Sequence, residues 1–503
     1  MQHTLTHWVA QAGWMQALVA GILLGIGFVF PAFWFLCIFS LMYIVHVIYS
    51  NVSIKKITLL FTCIWFIKSI LSISWFWSAY PISWIEGINA SIQIMLISAY
   101  WLSSGMWLAS GGAFFGLVSI WLVRHSKLPR NISILMLPVL WLGAELFSAF
   151  IFSLCTAGPG SFLQTYFSFG MVGYLLGVTS IGVWLAILGG VYGLTIILLA
   201  LAVFGYWLTI RVSKKLSIIM GVLLYSIFSF TTITPNIESQ TPITVIAVDT
   251  QFNAEFISTI EGLEFKATTL AHAVDTAVKN KPNVIVLPED SRYLSSQFNS
   301  LYPNQAMSMF QFTHGNTNTT LIDSGRYTTE AGMTVLRANI FDGVSKKLWQ
   351  IDKQYLVPQG EYVPLVYSTA LRLLGYGFVV DAVAIDSAYR PGPLTQTSEL
   401  PNYIPGVLFC FESVRSQAVR VLSETRDSIP FIAHPISHAW FHSPLILWQQ
   451  LHVMLQLQSR YSGLPIVSAG NMATGKLYLP NGIIDSGEII ESGDKYILRK
   501  FQF

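Results

Sequence analysis

The chain has 503 residues, 53 % of them hydrophobic and only 11 % charged, with a formal net charge of +3. So apolar a composition argues against an ordinary soluble protein, and so small a charge, tied to loops between apolar runs, argues against a nucleic-acid partner. Four cysteines, three of them in or beside apolar runs, imply no disulfide framework.

The average conceals two halves. Nine of the 28 basic residues and two of the 25 acidic ones, Glu86 and Glu145, lie before Pro235. Residues 1–235 therefore read as a transmembrane domain and residues 236–503 as a soluble one. Seven apolar runs, at 14–30, 32–49, 57–80, 88–123, 132–153, 182–207 and 216–233, are near the length that crosses a bilayer. In the first, Gly21 and Gly25 form a small-xxx-small pair that marks close helix packing. The fourth run is overlong, with Gly111-Gly112 inside it, and suits one bent helix or two short ones. Basic loops decide the point. Lys55-Lys56, the Arg124 to Arg130 stretch, and Arg211 with Lys214-Lys215 share one face only if that run crosses once. Seven crossings then place the N-terminus and these loops in the cytoplasm and residues 236–503 outside, in the periplasm of a bacterium. With no cleavable signal peptide evident, the first run reads as a retained helix. Lys68 and Glu145 lie inside apolar runs, where they either snorkel to an interface or pair with each other. A buried Lys68–Glu145 ion pair is the arrangement to look for. The irregular stretch 154–181, with Gly158, Pro159 and Gly160, reads as a lipid-facing or re-entrant loop beside the soluble domain.

After Thr241 the pattern changes to short β-rich runs at 242–248, 284–288 and 405–411, with a helical stretch over roughly 262–280, which together predict an α/β fold. The polar interval 290–335 reads as long loops around a site. Three strand-like runs end in reactive side chains: VIVLPED in Glu289, DKQYLVPQGEYVP in Lys353 and Glu361, and GVLFCFES in Cys410 and Glu412. Taken singly, each has an ordinary explanation: a strand-end turn, a surface charge, a core cysteine. Together they supply a complete chemistry. A thiol is mostly protonated at neutral pH and needs a base, which Glu289 can be. Acyl transfer builds charge on the former carbonyl oxygen, which the Lys353 cation can stabilise. His434, His438 and His442 recur every four residues, but Pro435 and the strand-like run argue against a helix presenting them to a metal; none is expected.

Together these segments resemble the nitrilase superfamily, whose fold is a four-layered α-β-β-α sandwich with a Glu-Lys-Cys triad. The whole chain resembles the membrane-bound branch, the bacterial apolipoprotein N-acyltransferase family. LVPQGEYVP lies near that family's most specific stretch, VLPE and Cys-Phe-Glu fall in order, and Ala439-Trp440-Phe441 echoes a downstream motif. The Trp141 to Glu145 segment fits the fifth span. The resemblance implies a polytopic α-helical membrane domain followed by an extracytoplasmic nitrilase-like domain, in the bacterial inner membrane. It implies transfer of a fatty acyl chain from phospholipid, through a cysteine thioester, to the α-amino group of a lipoprotein, without a cofactor and as a monomer. Cys410 would be the nucleophile, Glu289 the general acid/base and Lys353 the oxyanion partner. Glu361 and Glu412 would support them, and Phe411 and Trp440 would bind substrate. Three positions depart from the family: Phe411 stands where Tyr is usual, Ser437-His438 where Asn-Asp is usual, and no eighth span is expected before Phe503. Two alternatives stand beside this one: a divergent conjugal-transfer-type acyltransferase or amidase acting on another secreted protein, and a non-enzymatic membrane scaffold.

Overall fold

The computed structural model describes all residues except 1–12, 51, 83–86, 127, 160, 162, 212–213, 232–241, 299–302, 316, 331, 387–388, 393–399, 427 and 443. The expected domain boundary at 235/236 lies outside the described residues. Each apolar run of the first half forms helix: α1 (Trp14–Val29), α2 (Leu36–Ile48), α3 (Ile54–Ser72), α4 (Ala90–Leu108), α5 (Ser110–Arg124), α6 (Arg130–Cys155), α7 (Gly190–Arg211) and α8 (Lys214–Phe230). Four stretches, Ile54–Ala79, Ala90–Arg124, Ile132–Cys155 and Gly190–Arg211, are long and apolar enough to cross a membrane, and the other three are shorter. Helices α4 and α5 are one bent run. Ala109 between them keeps right-handed helical angles (φ −68°, ψ −14°) and donates to the Gly105 carbonyl at 2.9 Å. The run expected at 182–207 begins its long helix only at Gly190, because Gly189 (φ +140°) breaks it from the short helix Ser180–Leu185.

Small residues bring these helices together. A Cβ at Gly21 would lie 2.7 Å from Ile67 Cβ, and one at Gly25 2.8 Å from Leu71 Cδ1, so α1 packs directly on α3. At the bend, a Cβ on Gly111 would lie 2.7 Å from the Ala144 carbonyl of α6. Lys68 and Glu145 do pair: Nζ lies 3.6 Å from Oε1, with both side chains buried. The ammonium also faces the Trp65 ring at 4.4 Å, and Glu145 accepts the Val172 N–H at 2.9 Å and the Thr195 hydroxyl at 3.3 Å. Around this core, large apolar side chains such as Leu135, Val139 and Leu188 point outward, as a lipid-facing surface requires.

The stretch 154–181 is only partly exposed: Leu154 and Leu163 face outward, whereas Tyr166, Phe167, Phe169 and residues 171–177 are buried between the two halves. Val172 donates to Glu145 at 2.9 Å, while from the soluble half Tyr362 donates to the Thr156 carbonyl at 2.9 Å and Tyr355 to Gln164 at 2.8 Å.

The second half is an α/β unit whose layers follow from strand alternation. Strands β1 (Thr244–Thr250), β2 (Val284–Val286), β3 (Thr320–Thr328), β4 (Thr334–Phe341) and β5 (Leu348–Asp352) lie side by side, with β11 (Glu488–Gly493) and β12 (Tyr496–Gln502) added beyond β1. A second array joins β6 (Gly406–Val407), β7 (Ile432–Ser437), β8 (Ile466–Asn471), β9 (Leu477–Tyr478) and β10 (Ile484–Asp485). The arrays meet where Thr250 pairs with Asn471. One set of alternate residues, including Val245, Ala247, Val286, Val407, Ala433 and Val467, forms a core between the two arrays. The intervening residues Ile246, Val248 and Ile285 pack instead on α9 (Ile260–Lys279), α10 (Tyr293–Phe298) and α11 (Pro303–Thr313). On the far side, Leu408, Ile432 and Ile466 pack on α14 (Ala418–Glu424) and α15 (Leu445–Ser462). Three cores separate four layers, the α-β-β-α order expected. Two further helices, α12 (Leu365–Leu373) and α13 (Gly377–Asp386), flank the cavity described below.

The interval 290–335 is not a set of long loops. It contains α10, α11 and β3, and one of its polar residues, buried Asp323, caps α10 by accepting the Tyr293 and Leu294 N–H groups at 3.2 and 3.0 Å. The two halves share one core, in which Gln450 of α15 donates to the Ser72 carbonyl of α3 at 2.8 Å.

Candidate active site

The three reactive side chains follow the C-terminal ends of β2, β5 and β6, and the fold brings them together. Lys353 Nζ lies 2.8 Å from Glu289 Oε1 and 2.7 Å from Glu361 Oε1, and is almost wholly buried. Just after β2, Asp290 and Arg292 take left-handed angles (φ +55° and +54°), which turns the chain sharply beyond Glu289. Arg292 grips the Asp290 carboxylate at 2.7 and 2.6 Å, fixing that turn. Cys410 begins a short 3₁₀ turn (Cys410–Val414) directly beyond β6, and its half-buried thiol points toward the Ser437 carbonyl at 3.7 Å.

Two further carboxylates hold this arrangement. Glu361 uses its second oxygen to accept the Val357 N–H at 2.8 Å, closing the loop that carries it. Glu412 accepts the N–H groups of Gln354 (2.6 Å) and Tyr355 (3.2 Å) with one oxygen and that of Phe409 (2.8 Å) with the other. It ties the chain just after Lys353 to the chain just before Cys410.

The electrostatics follow from burial and charge. Burial pushes the Glu289 carboxyl up to about 7; Lys353 opposes that rise and Glu361 adds to it. Burial works against the Lys353 ammonium, but Glu289 and Glu361 outweigh it and hold the pKa well above the ordinary lysine value. Burial and then the Glu289 charge push the Cys410 thiol up, with Lys353 pulling the other way. The resting thiol is therefore protonated and needs a base at the moment of attack. Glu289, pushed up toward neutrality, is the carboxyl group whose charge bears most on that thiol.

These groups face a cavity of about 220 Å³. Phe411 and Trp440 both line it, Phe411 packing against Tyr166 at 6.2 Å between ring centres. Much of the remaining wall comes from the membrane half: Trp75, Phe76, Tyr100, Phe152 and Phe167. Sequence reading did not find these. For Trp75, Phe76 and Phe167 the trace is aromatic clustering, SWFW at 74–77 and YFSF at 166–169, which membrane-interface residues produce equally. His434 and His438 are buried on and beside β7, where burial lowers both imidazoles, to about 4 and about 3, while His442 sits in the turn beyond and donates to the Pro81 carbonyl at 3.0 Å. The three histidines do not share a helix face.

Comparison of the sequence with family profiles and with curated proteins finds no match. Among solved structures, the chain is similar to a carbon-nitrogen hydrolase from Helicobacter pylori G27, at 14 % identity over 52 % of this chain and 89 % of that one, with a TM-score of 0.32. It is similar to the NitN amidase from a Nesterenkonia species, strain AN1, at 12 % identity over 52 % and 92 %, TM-score 0.31. It is also similar to a mutant of the Nesterenkonia amidase with the acetamide moiety of fluoroacetamide covalently added at its active-site cysteine, at 12 % identity over 54 % and 93 %, TM-score 0.32. These neighbours belong to the carbon-nitrogen hydrolase and nitrilase superfamily, and at such distances the likeness assigns neither substrate nor reaction.

Proposed function

We propose that this chain is a membrane-embedded acyltransferase, with Cys410 taking a fatty acyl chain from phospholipid as a thioester and passing it to the N-terminal amine of a lipoprotein. The reading is carried by one observation: a single cavity has Glu289, Lys353 and Cys410 in its wall and aromatic and aliphatic side chains from both halves around the rest. Such walls suit an acyl chain and keep water away from a thioester.

In the first step Glu289 takes the thiol proton while Sγ attacks the ester carbonyl. Lys353 faces the oxyanion that forms. Collapse breaks the ester C–O bond, and Glu289 returns its proton to the departing lysophospholipid. In the second step the amine attacks the thioester carbonyl, Glu289 accepts the amine proton, and the thiolate leaves and is reprotonated. Glu361 and Glu412 act by holding Lys353 and the Cys410 turn in place. The positively charged loops support a cytoplasmic-membrane topology with the catalytic half on the periplasmic side.

The test is rescue. A bacterium depleted of its own apolipoprotein N-acyltransferase should grow when it expresses this chain and should not when it expresses the Cys410→Ala variant at equal level. Failure of the wild-type chain to rescue, with the protein present in the membrane, would count against lipoprotein as the acceptor.

A further inference from the structure

His438 lines the cavity one residue beyond Ser437, whose carbonyl faces the Cys410 thiol. Its ring is held in one tautomer. Trp448, on α15, places its indole Nε1 2.7 Å from His438 Nδ1. An indole N–H can only donate, so Nδ1 is the bare nitrogen and the proton of the neutral ring sits on Nε2. Burial, with His434 and His452 nearby, keeps a second proton off at neutral pH. Among the described residues Nε2 has no hydrogen-bond partner, although it is not sealed from the cavity. The ring meets Phe441, which in turn meets Trp75 of the membrane half. An N–H group held against such apolar walls is costly unless something in the cavity accepts it.

We propose that His438 is a specificity-determining residue whose Nε2–H donates to an uncharged carbonyl oxygen of the substrate, either an ester of the lipid donor or an amide of the acceptor. This rests on the acyltransferase reading. Two observations select an uncharged oxygen. The donor itself is neutral, and apart from Lys353, already held between Glu289 and Glu361, no Lys or Arg lines the cavity among the described residues. A phosphate would find no free cation there.

The test uses the full chain in detergent and reads the two half-reactions separately: thioester formation from phospholipid, and transfer from Cys410 to a synthetic diacylglyceryl lipopeptide. Gln at position 438 returns an N–H near the Nε2 position, and Phe fills the volume without one. His438→Phe should lower kcat/KM of one half-reaction about tenfold, and His438→Gln should stay within about threefold of wild type. Loss in the first half-reaction identifies the lipid ester as the partner; loss in the second identifies the acceptor amide. Nitrogen-15 shifts of labelled histidine should show Nδ1 bare and Nε2 protonated, a preference that Trp448→Phe removes. Should His438→Phe not fold, Trp448→Phe carries the same kinetic test, with a smaller loss in the same half-reaction. If wild type forms a thioester and both steps are unchanged in His438→Phe, or if Gln is as slow as Phe, this proposal alone fails. An Nδ1-protonated ring would also overturn it. If wild type forms no thioester, it is the acyltransferase reading that fails.

Discussion

In the proposed mechanism Glu289 is a base in one half of each step and an acid in the other, and its setting suits both. Burial raises its pKa to about 7, and the cation of Lys353 keeps it from rising further. The sign of the pH effect follows. The carboxylate is the form that accepts the thiol proton, so thioester formation should rise as pH increases through about 7, by about tenfold between about pH 6 and 8. Single-turnover acylation measured across that range checks this, and a flat profile would mean that another group takes the proton. That Glu289, Lys353 and Cys410 meet at one cavity was readable because each ends an apolar run and their chemistries complement one another. That Trp75, Tyr100 and Phe167 join them there was not, since an aromatic at a helix end has the same sequence signature whether it faces lipid, core or substrate.

At the scale of elements, polar groups inside apolar segments explain most of what alternation alone could not. The Lys68–Glu145 pair was legible from its depth in α3 and α6, but not what Glu145 does beyond pairing. Its carboxylate also accepts from Val172 and Thr195, so it anchors the buried 166–177 segment to α7. Replacing Lys68 by Met strands that carboxylate and should cost roughly 3–5 kcal/mol. Replacing both, Lys68→Met with Glu145→Gln, should recover most of the loss. Thermal unfolding in detergent reads both effects; equal stability of Lys68→Met and wild type would show that the charge pair holds nothing together. The interval 290–335 misled for a related reason. Its polar residues resemble loop composition, yet Asp323 is buried as the cap of α10, and strand β3 is exposed at its C-terminal end only. For Asp323, composition cannot tell a buried cap from a solvated turn.

For the whole molecule, the helical half and the α/β half share a core, and the cavity is built from both. The four layers of the second half were legible from strand alternation and the resemblance, whereas the way α15 and the 166–177 segment join the halves was not, because neither is amphipathic in a way that names its partner. The proposed orientation in the membrane rests on the basic loops. Reporter fusions after Gln240 and after Phe503 should be active only in the form that requires the periplasm, and cytoplasmic activity at either site would mean that the number of crossings is wrong.

The central claim is a covalent acyl group on Cys410, and intact-mass measurement after incubation of the purified protein with phospholipid, without acceptor, tests it most directly. The wild-type chain should gain the mass of one fatty acyl group, hydroxylamine should remove it, and Cys410→Ala and Glu289→Gln should not acquire it. Lys353→Ala should acquire it about 10²–10³-fold more slowly. A wild-type protein that gains no acyl mass yet releases ammonia from small amides would contradict the account and make the chain an amidase.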